Sequence, residues 1–309
     1  MKPTYTGRFA PSPTGPLHLG SLVTALASYL DARAHGGRWL VRMEDLDPPR
    51  EEAGAADAIL RCLETHHLYW DDTVLYQSRR AEAYRSALES LQQRSLCYRC
   101  VCSRQELQGE AIYQGHCRSR QHVPGTPAAI RLDMRAALAV LQQDPLLRFN
   151  DLLQGPQQQD LQQEAGDFVI HRKDGLFAYQ LAVVVDDLYQ NITHVIRGAD
   201  LLDSTARQIL LFKLLAQGTG LNPSPFPPAF GHVPLVVNAQ GQKLSKQNLA
   251  PALVPEQASD NLYQALLFLG TFLRQAPPPA LKSESPATLL QWGREHWQRP
   301  AVEVAFTRG

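Results

Sequence analysis

GRFAPSPTGPLHLGS, residues 7–21, stands between a short β-like run and an amphipathic helix pattern, and the fold follows from how this loop is read. Upstream, residues 5–10 suit an extended segment. Downstream, Leu22, Val23, Leu26, Tyr29 and Leu30 recur at the spacing of one helix face. Three prolines and three glycines within the fifteen residues mark the loop itself as a turn region. A strand feeding a helix through such a loop leaves the first helical N–H groups unpaired near His18 and Gly20, and a terminus of that kind attracts anions.

Working outward, Gly36 and Gly37 break the helix pattern, and residues 38–43 read as a buried strand that runs into Glu44, Asp45 and Asp47. Strand, helix, strand is a βαβ unit with a right-handed crossover. Ligands of such sheets bind beyond the carboxyl ends of the strands, so Arg8 and Glu44 are expected to face the same crevice as His18. Residues 55–63 and 81–91 read as helices with core stripes of Ile59, Leu60 and Leu63, and of Tyr84, Leu88 and Leu91; Ser78 is a candidate N-cap before the second. Further on, residues 167–172, 192–196 and 232–238 read as strands and residues 204–215 and 261–274 as helices. The apolar run 176–187 is expected to return the chain to the nucleotide-binding sheet, and a weak helical tail follows Pro277-Pro278-Pro279.

The 309 residues suffice for two or three modules with a sizeable core, and 44% hydrophobic with 19% charged residues argues against long disorder. A formal net charge of zero excludes an extensive basic sheath for nucleic acid. A local patch remains in Arg118, Arg120, Arg131 and Arg135, a surface suited to an RNA backbone. No apolar run of about 18 residues occurs, and Met1-Lys2-Pro3 leads straight into the first strand; the expectation is a cytoplasmic protein with no membrane partner.

Five cysteines in a chain without an apolar leader argue against a disulfide framework. Cys100 and Cys102 are followed after fourteen residues by Cys117, which suits three thiolates on one zinc ion. Spacing leaves Tyr113, His116 and His122 open as the fourth ligand. Short β-like runs at residues 129–132 and 146–149 complete this inserted region.

His18-Leu19-Gly20-Ser21 resembles the HIGH signature of class I aminoacyl-tRNA synthetases, and Arg8-Phe9-Ala10-Pro11-Ser12-Pro13-Thr14-Gly15 resembles the glutamyl branch. DGLFAYQLAVVVDD (residues 174–187) and VIRGADLL (residues 195–202) are similar to that branch as well, and Lys243-Leu244-Ser245-Lys246-Gln247 looks like the KMSKS loop. Ser21 and Gln247 depart from the two signatures. The resemblance extends over nearly all of the chain up to about Arg274. It points to the shortened glutamyl-tRNA synthetase paralogues that glutamylate queuosine in tRNA(Asp), because about sixty residues after the KLSKQ loop cannot supply a large anticodon-binding region.

That resemblance implies an α/β fold: a Rossmann-like parallel sheet of class I synthetase type, with an inserted zinc-bearing module and a short helical C-terminal region. The expected modules are residues 1–95 and 167–240 as the two halves of the nucleotide-binding fold, residues 96–166 as an acceptor-binding-like insertion, and residues 241–309 as the KLSKQ loop with C-terminal helices. It implies glutamate contacts from Arg8, Ala10, Ser12, Glu44, Tyr179 and Arg197. Pro11, His18, Gly20, Ser21, Lys243, Ser245 and Lys246 would contact ATP, with His18 and Lys246 catalytic. Cys100, Cys102, Tyr113 and Cys117 would hold one structural zinc, the family pattern favouring Tyr113 over either histidine. Implied partners are L-glutamate, ATP with Mg2+, and tRNA(Asp) carrying queuosine, bound by a monomer. The competing readings are a truncated enzyme that charges a tRNA 3′ end and a catalytically silent tRNA-binding paralogue.

Overall fold

Strand β1 (Thr6–Phe9), helix α1 (Leu19–Ala34) and strand β2 (Arg38–Met43) form the expected βαβ unit, with β1 and β2 parallel. The computed structural model describes residues 5–301 apart from 104, 111, 121–122, 124, 218–225, 238–243 and 245–250. Gly37 permits the tight return from α1 to β2, since a Cβ there would lie 2.5 Å from the Tyr5 side chain. Helix α2 (Ala55–Thr65) crosses to strand β3 (Leu75–Tyr76), parallel to β2, and α3 (Ala81–Gln93) follows.

Strand β4 (Cys97–Cys100) and β5 (Ala129–Leu132) open a second, antiparallel sheet. Helix α4 (Met134–Leu141) leads to a hairpin of β6 (Leu146–Asp151) and β7 (Gly155–Asp160), and β8 (Val169–His171) then pairs with β5. Helix α5 (Tyr179–Tyr189) precedes β9 (His194–Gly198), α6 (Thr205–Ala216) and β10 (Ala229–Val233), the last parallel to β9. The Thr193 N–H donates to Thr6 O at 2.9 Å, and the Thr6 N–H donates to the Thr193 hydroxyl at 2.8 Å. These bonds set β9 beside β1, so strand order reverses between them and the carboxyl ends of both open on one crevice.

Helices α7 (Ala258–Phe268) and α8 (Pro286–His296) pack on α1 through Leu30, Leu262, Leu266, Leu289 and Leu290 in the larger core cluster. The chain after α8 is tied to α1 at buried Asp31, which accepts from the Trp297 indole at 2.9 Å and from two Arg299 nitrogens at 2.8 Å. Among the described residues no helix is long and apolar enough to cross a membrane.

From Tyr179 onward the run 176–187 lies against the sheet as helix α5, with Leu181, Val184 and Leu188 at helical spacing in the second core cluster. Its three valines favour strand by propensity, but burial of the whole apolar face outweighs a preference of a few tenths of a kcal/mol per residue. The strand expected at 232–238 is β10, Ala229–Val233, and helix 261–274 is α7, which ends at Phe268. Ser78 does not cap α3; its hydroxyl donates to Asp45 at 2.6 Å and its N–H to the same carboxylate at 2.9 Å.

Candidate active site

A cavity of about 360 Å³ lies at the crevice between β1 and β9. Arg8, Ala10, Pro11, Ser12, His18, Gly20, Ser21, Glu44, Tyr179 and Arg197 all line it. Strand β1 delivers Arg8, the exit of β2 delivers Glu44, the first turn of α5 delivers Tyr179, and β9 delivers Arg197. Lys243, Ser245 and Lys246 lie outside the described residues. Leu244 from the same segment lines the cavity and donates its N–H to Val236 O at 2.8 Å.

His18 is the N-cap of α1, with Nδ1 accepting from the Ser21 N–H at 3.3 Å. An accepting Nδ1 places the imidazole proton on Nε2. Gly20 leaves room for that ring, since a Cβ there would lie 3.1 Å from His18 Cε1. The segment after the KLSKQ stretch runs alongside: Leu253 N–H donates to Leu17 O at 2.9 Å, and His18 and Ala252 form an antiparallel bridge. Helix N-terminus, Nε2–H donor and open cavity together make an anion-binding end.

The opposite end is governed by charge pairing. Asp187 of α5 is bracketed by two buried arginines, Arg8 at 3.2 Å and Arg42 at 2.7 Å, and Arg42 also reaches Glu44 at 3.4 Å. Burial pushes the Asp187 carboxyl upward, but the Arg42 and Arg8 charges prevail and hold it below its ordinary range. Glu44 moves the other way, because its burial outweighs the pull of Arg42 and Arg8. The neighbouring Asp186 accepts from Arg80, Gln77 and the Tyr84 hydroxyl at 2.6, 2.8 and 2.7 Å, so both acids that end the apolar run are structural anchors.

Arg197 differs from its neighbours. It is 3% exposed, and its guanidinium donates to His232 Nε2, Gln208 Oε1, the Tyr179 hydroxyl, Leu201 O and Thr205 Oγ1, all of them neutral. Among the described residues no carboxylate lies within ion-pair distance of it. Burial lowers its pKa, yet a guanidinium stays charged in proteins. A buried cation held by neutral acceptors at a cavity wall can receive an anionic group. Sequence reading had not singled out Asp187, Gln208, His232 or Asp151. Their local signal is an acid, amide or imidazole beside apolar residues, which does not reveal its partner.

Cys100, Cys102 and Cys117 come together, with all three sulfurs within 4.8 Å of one another. The Cys102 and Cys117 sulfurs are 3.4 Å apart, close to the ~3.8 Å edge of a tetrahedral thiolate site with ~2.3 Å metal–sulfur bonds. The Tyr113 oxygen lies 3.4 Å from Cys100 Sγ and 3.7 Å from Cys102 Sγ, and the Cys117 N–H donates to it at 2.9 Å. His116 is turned to Glu110 at 2.6 Å, and His122 lies outside the described residues. Three thiols and one phenol oxygen therefore fit a four-coordinate metal ion. Nearby, Arg118 pairs with Asp133 and Asp167, and Arg131 stacks on Tyr113 at 3.9 Å, so these two serve the module's own structure before any RNA.

The family model for the catalytic domain of class I tRNA synthetases (E and Q) matches residues 5–282. The chain is 53% identical over 299 residues to the Glutamyl-Q tRNA(Asp) synthetase of Thiobacillus denitrificans, covering 94% of this chain and 92% of that one. It is 51% identical over 310 residues to the protein of that name from Pseudomonas aeruginosa, covering 99% and 98% of the two. Among solved structures, the glutamate-tRNA synthetase of Elizabethkingia anophelis superposes with a TM-score of 0.72 at 24% identity, over 96% of this chain and 68% of that one. A glutamate tRNA ligase from Elizabethkingia meningosepticum gives 0.73 at 24% identity, over 97% and 66%. The fold is thus that of the glutamyl class I enzymes, and the chain belongs to the class I tRNA synthetase (E and Q) family, in its branch of glutamyl-Q tRNA(Asp) synthetases.

Proposed function

We propose that this enzyme activates L-glutamate with ATP to glutamyl-adenylate and transfers the glutamyl group to the queuosine base at the wobble position of tRNA(Asp). The observation that carries the reading is Arg197, a buried cation with no acidic partner among the described residues, on the wall of a cavity whose other end is the N-terminus of α1. Arg8, Tyr179 and Arg197 receive the substrate carboxylates, Glu44 accepts from the α-ammonium, and Ala10 and Ser12 border the amino acid. A glutamate oxygen attacks the α-phosphorus and pyrophosphate leaves. No protein nucleophile is needed. His18, the helix terminus, Ser21 and the lysines of the KLSKQ loop stabilise phosphate charge, with Mg2+ accompanying the ATP. In this reading the insertion of residues 96–166 separates the two halves of the nucleotide-binding fold, and the enzyme acts as a monomer in the cytoplasm.

Removing one electrostatic donor of this kind costs on the order of 100- to 1,000-fold in rate. His18→Ala and Lys246→Ala are each expected to lower glutamate-dependent ATP–pyrophosphate exchange by that factor. With labelled glutamate and ATP, label is expected on tRNA containing queuosine and not on the same tRNA lacking it. Label at the 3′ end would identify a tRNA-charging enzyme, and no exchange with glutamate would end the proposal.

For the cysteine cluster the proposed ion is zinc, held by Cys100, Cys102, Cys117 and Tyr113 and serving to close the insertion's fold. Metal analysis is expected to find about one zinc per chain. The Cys100→Ser/Cys102→Ser variant should lose it and melt at lower temperature; metal-free wild-type protein would refute the assignment.

A further inference from the structure

Arg197 has five N–H donors, and each is already committed. Nε donates to His232 Nε2 at 3.0 Å, one terminal nitrogen to Gln208 Oε1 at 2.7 Å and the Tyr179 hydroxyl at 3.4 Å, and the other to Leu201 O at 3.1 Å and Thr205 Oγ1 at 2.9 Å. An arginine in an ion pair is aimed by its carboxylate. Here, among the described residues, the aim of the fork is set by neutral acceptors, and the Nε contact fixes the plane from the side away from Gln208 and Tyr179.

That contact exists only if His232 offers a lone pair at Nε2, which requires its proton on Nδ1. Asp151 meets the requirement. Its Oδ2 lies 2.5 Å from His232 Nδ1, and its Oδ1 accepts the N–H groups of His232, Leu153 and Gln154 at 3.0, 3.0 and 2.9 Å. Three backbone donors thus turn the carboxylate so that the remaining oxygen faces the ring. Asp151 and His232 are both 0% exposed.

The three residues come from three strands. His232 and Arg197 are register partners on parallel β10 and β9, and Asp151 ends β6 of the hairpin. The hairpin is seated on β10 by Leu152 N–H to Phe230 O at 2.7 Å and by the Gln154 amide to His232 O at 2.8 Å. The hairpin from the inserted region therefore packs behind β10 and reaches Arg197 through His232.

We propose that Asp151 and His232 are positioning residues for Arg197, the aspartate holding the histidine tautomer and the histidine aiming the guanidinium at the substrate carboxylate. This rests on the glutamate reading given above. A carboxylate arriving at the Tyr179 side meets the most weakly held donor of the fork, while the Nε and Leu201–Thr205 contacts keep the plane still. Tyr179 and Gln208 shift little, and the fork need not be reorganised for each turnover.

The test separates the two ends of the imidazole. In His232→Gln the amide oxygen stands near the position of Nε2 and still accepts from Arg197. In His232→Asn the amide nitrogen stands near Nδ1, still donates to Asp151, and nothing accepts from Arg197. Glutamate-dependent ATP–pyrophosphate exchange is measured with the full chain, varying glutamate and ATP separately, and melting temperatures are recorded for each variant.

Loss of a hydrogen bond to a charged donor corresponds to roughly 10- to 100-fold in affinity. His232→Asn is expected to raise KM for glutamate by that factor with KM for ATP unchanged, and His232→Gln to recover most of it. Asp151→Asn, whose amide can turn its NH2 toward Nδ1 and drive the proton to Nε2, is expected to raise KM for glutamate as in His232→Asn. Equal KM values for the Asn and Gln variants, or glutamate and ATP constants that rise together with falling melting temperature, would show a purely structural network. Wild-type protein that exchanges without regard to glutamate would instead overturn the glutamate reading, and this inference with it.

Discussion

Arg197→Ala is expected to lower kcat/KM for glutamate in pyrophosphate exchange by roughly a hundred- to several-thousand-fold, the equivalent of about 3–5 kcal/mol for removing one partner of a buried charge pair. The size follows from what the bound state would lose. A substrate carboxylate buried opposite Arg8 and Arg197 would be left with Arg8 alone, whose charge is already shared with Asp187 at 3.2 Å. Arg197→Lys should recover little, because a single ammonium cannot hold five acceptors arranged around a planar fork. KM for ATP should stay near its wild-type value, since His18 and the start of α1 are untouched. The folded state should suffer far less than activity. Arg197 neutralises no described acid, and two of the residues it leaves, Tyr179 and Leu201, line a cavity that water can enter. A near-normal melting temperature with lost glutamate dependence is the expected pair of results; a melting temperature that falls with activity would place Arg197 among the structural ion pairs.

Asp187→Ala should show the opposite balance, with destabilisation of about 3–5 kcal/mol in urea unfolding. Asp187 is 2% exposed and neutralises Arg8 and Arg42, themselves 4% and 0% exposed. Without it, two buried guanidiniums would share Glu44, 3.4 Å from Arg42, and Asp186, 4.0 Å from Arg42 and already claimed by Arg80. Activity should fall too, because Arg8 loses the contact that holds it at the cavity wall. The pH dependence has a definite sign. Burial raises the Asp187 pKa, the two arginines lower it further, and the net folded value lies below the unfolded one. Its contribution is therefore fully present above the ordinary carboxylate pKa of about 3.9 and is lost as pH falls from there through the folded value. Between pH 7 and pH 3 the wild-type protein should lose more stability than Asp187→Asn. Equal losses in the two proteins would refute the pairing as an energetic fact.

Much of the fold was readable along the chain. Strand β2 coincides with the expected 38–43, and α1 begins beside His18 as the loop 7–21 required, because cap, apolar period and glycine breaks all act within a few residues. The described glutamate and ATP candidates line one cavity for a topological reason: apart from Tyr179, on the first turn of α5, they sit at the carboxyl ends of β1, β2 and β9 or just beyond them. Helix α5 was harder, since its valines and alternating bulk fit a strand as well as a buried helix until its neighbours are known. Ser78 looked like a cap because a serine before a helix usually is one, and only the approach of Asp45 drew its hydroxyl elsewhere.

Charge partners lay beyond any local rule. Arg8 and Asp187 are 179 residues apart, Arg42 and Asp187 are 145 apart, and His232 and Asp151 are 81 apart. Residue identity along the chain was enough for the loop, the helix it starts and the kind of anion that end can hold, since these depend on backbone geometry over a few turns. Which arginine is paired with an acid inside the protein and which is held by neutral groups was settled only on folding. Burial makes every unpaired charge costly, and the paired acid is whichever one the sheet and α5 bring within about 3 Å. Arg8 and Arg197 look alike in the sequence. Packing gave Asp187 to Arg8 and left Arg197, in the loop-and-strand crevice that residues 7–21 open, at the cavity wall with no carboxylate at ion-pair distance among the described residues.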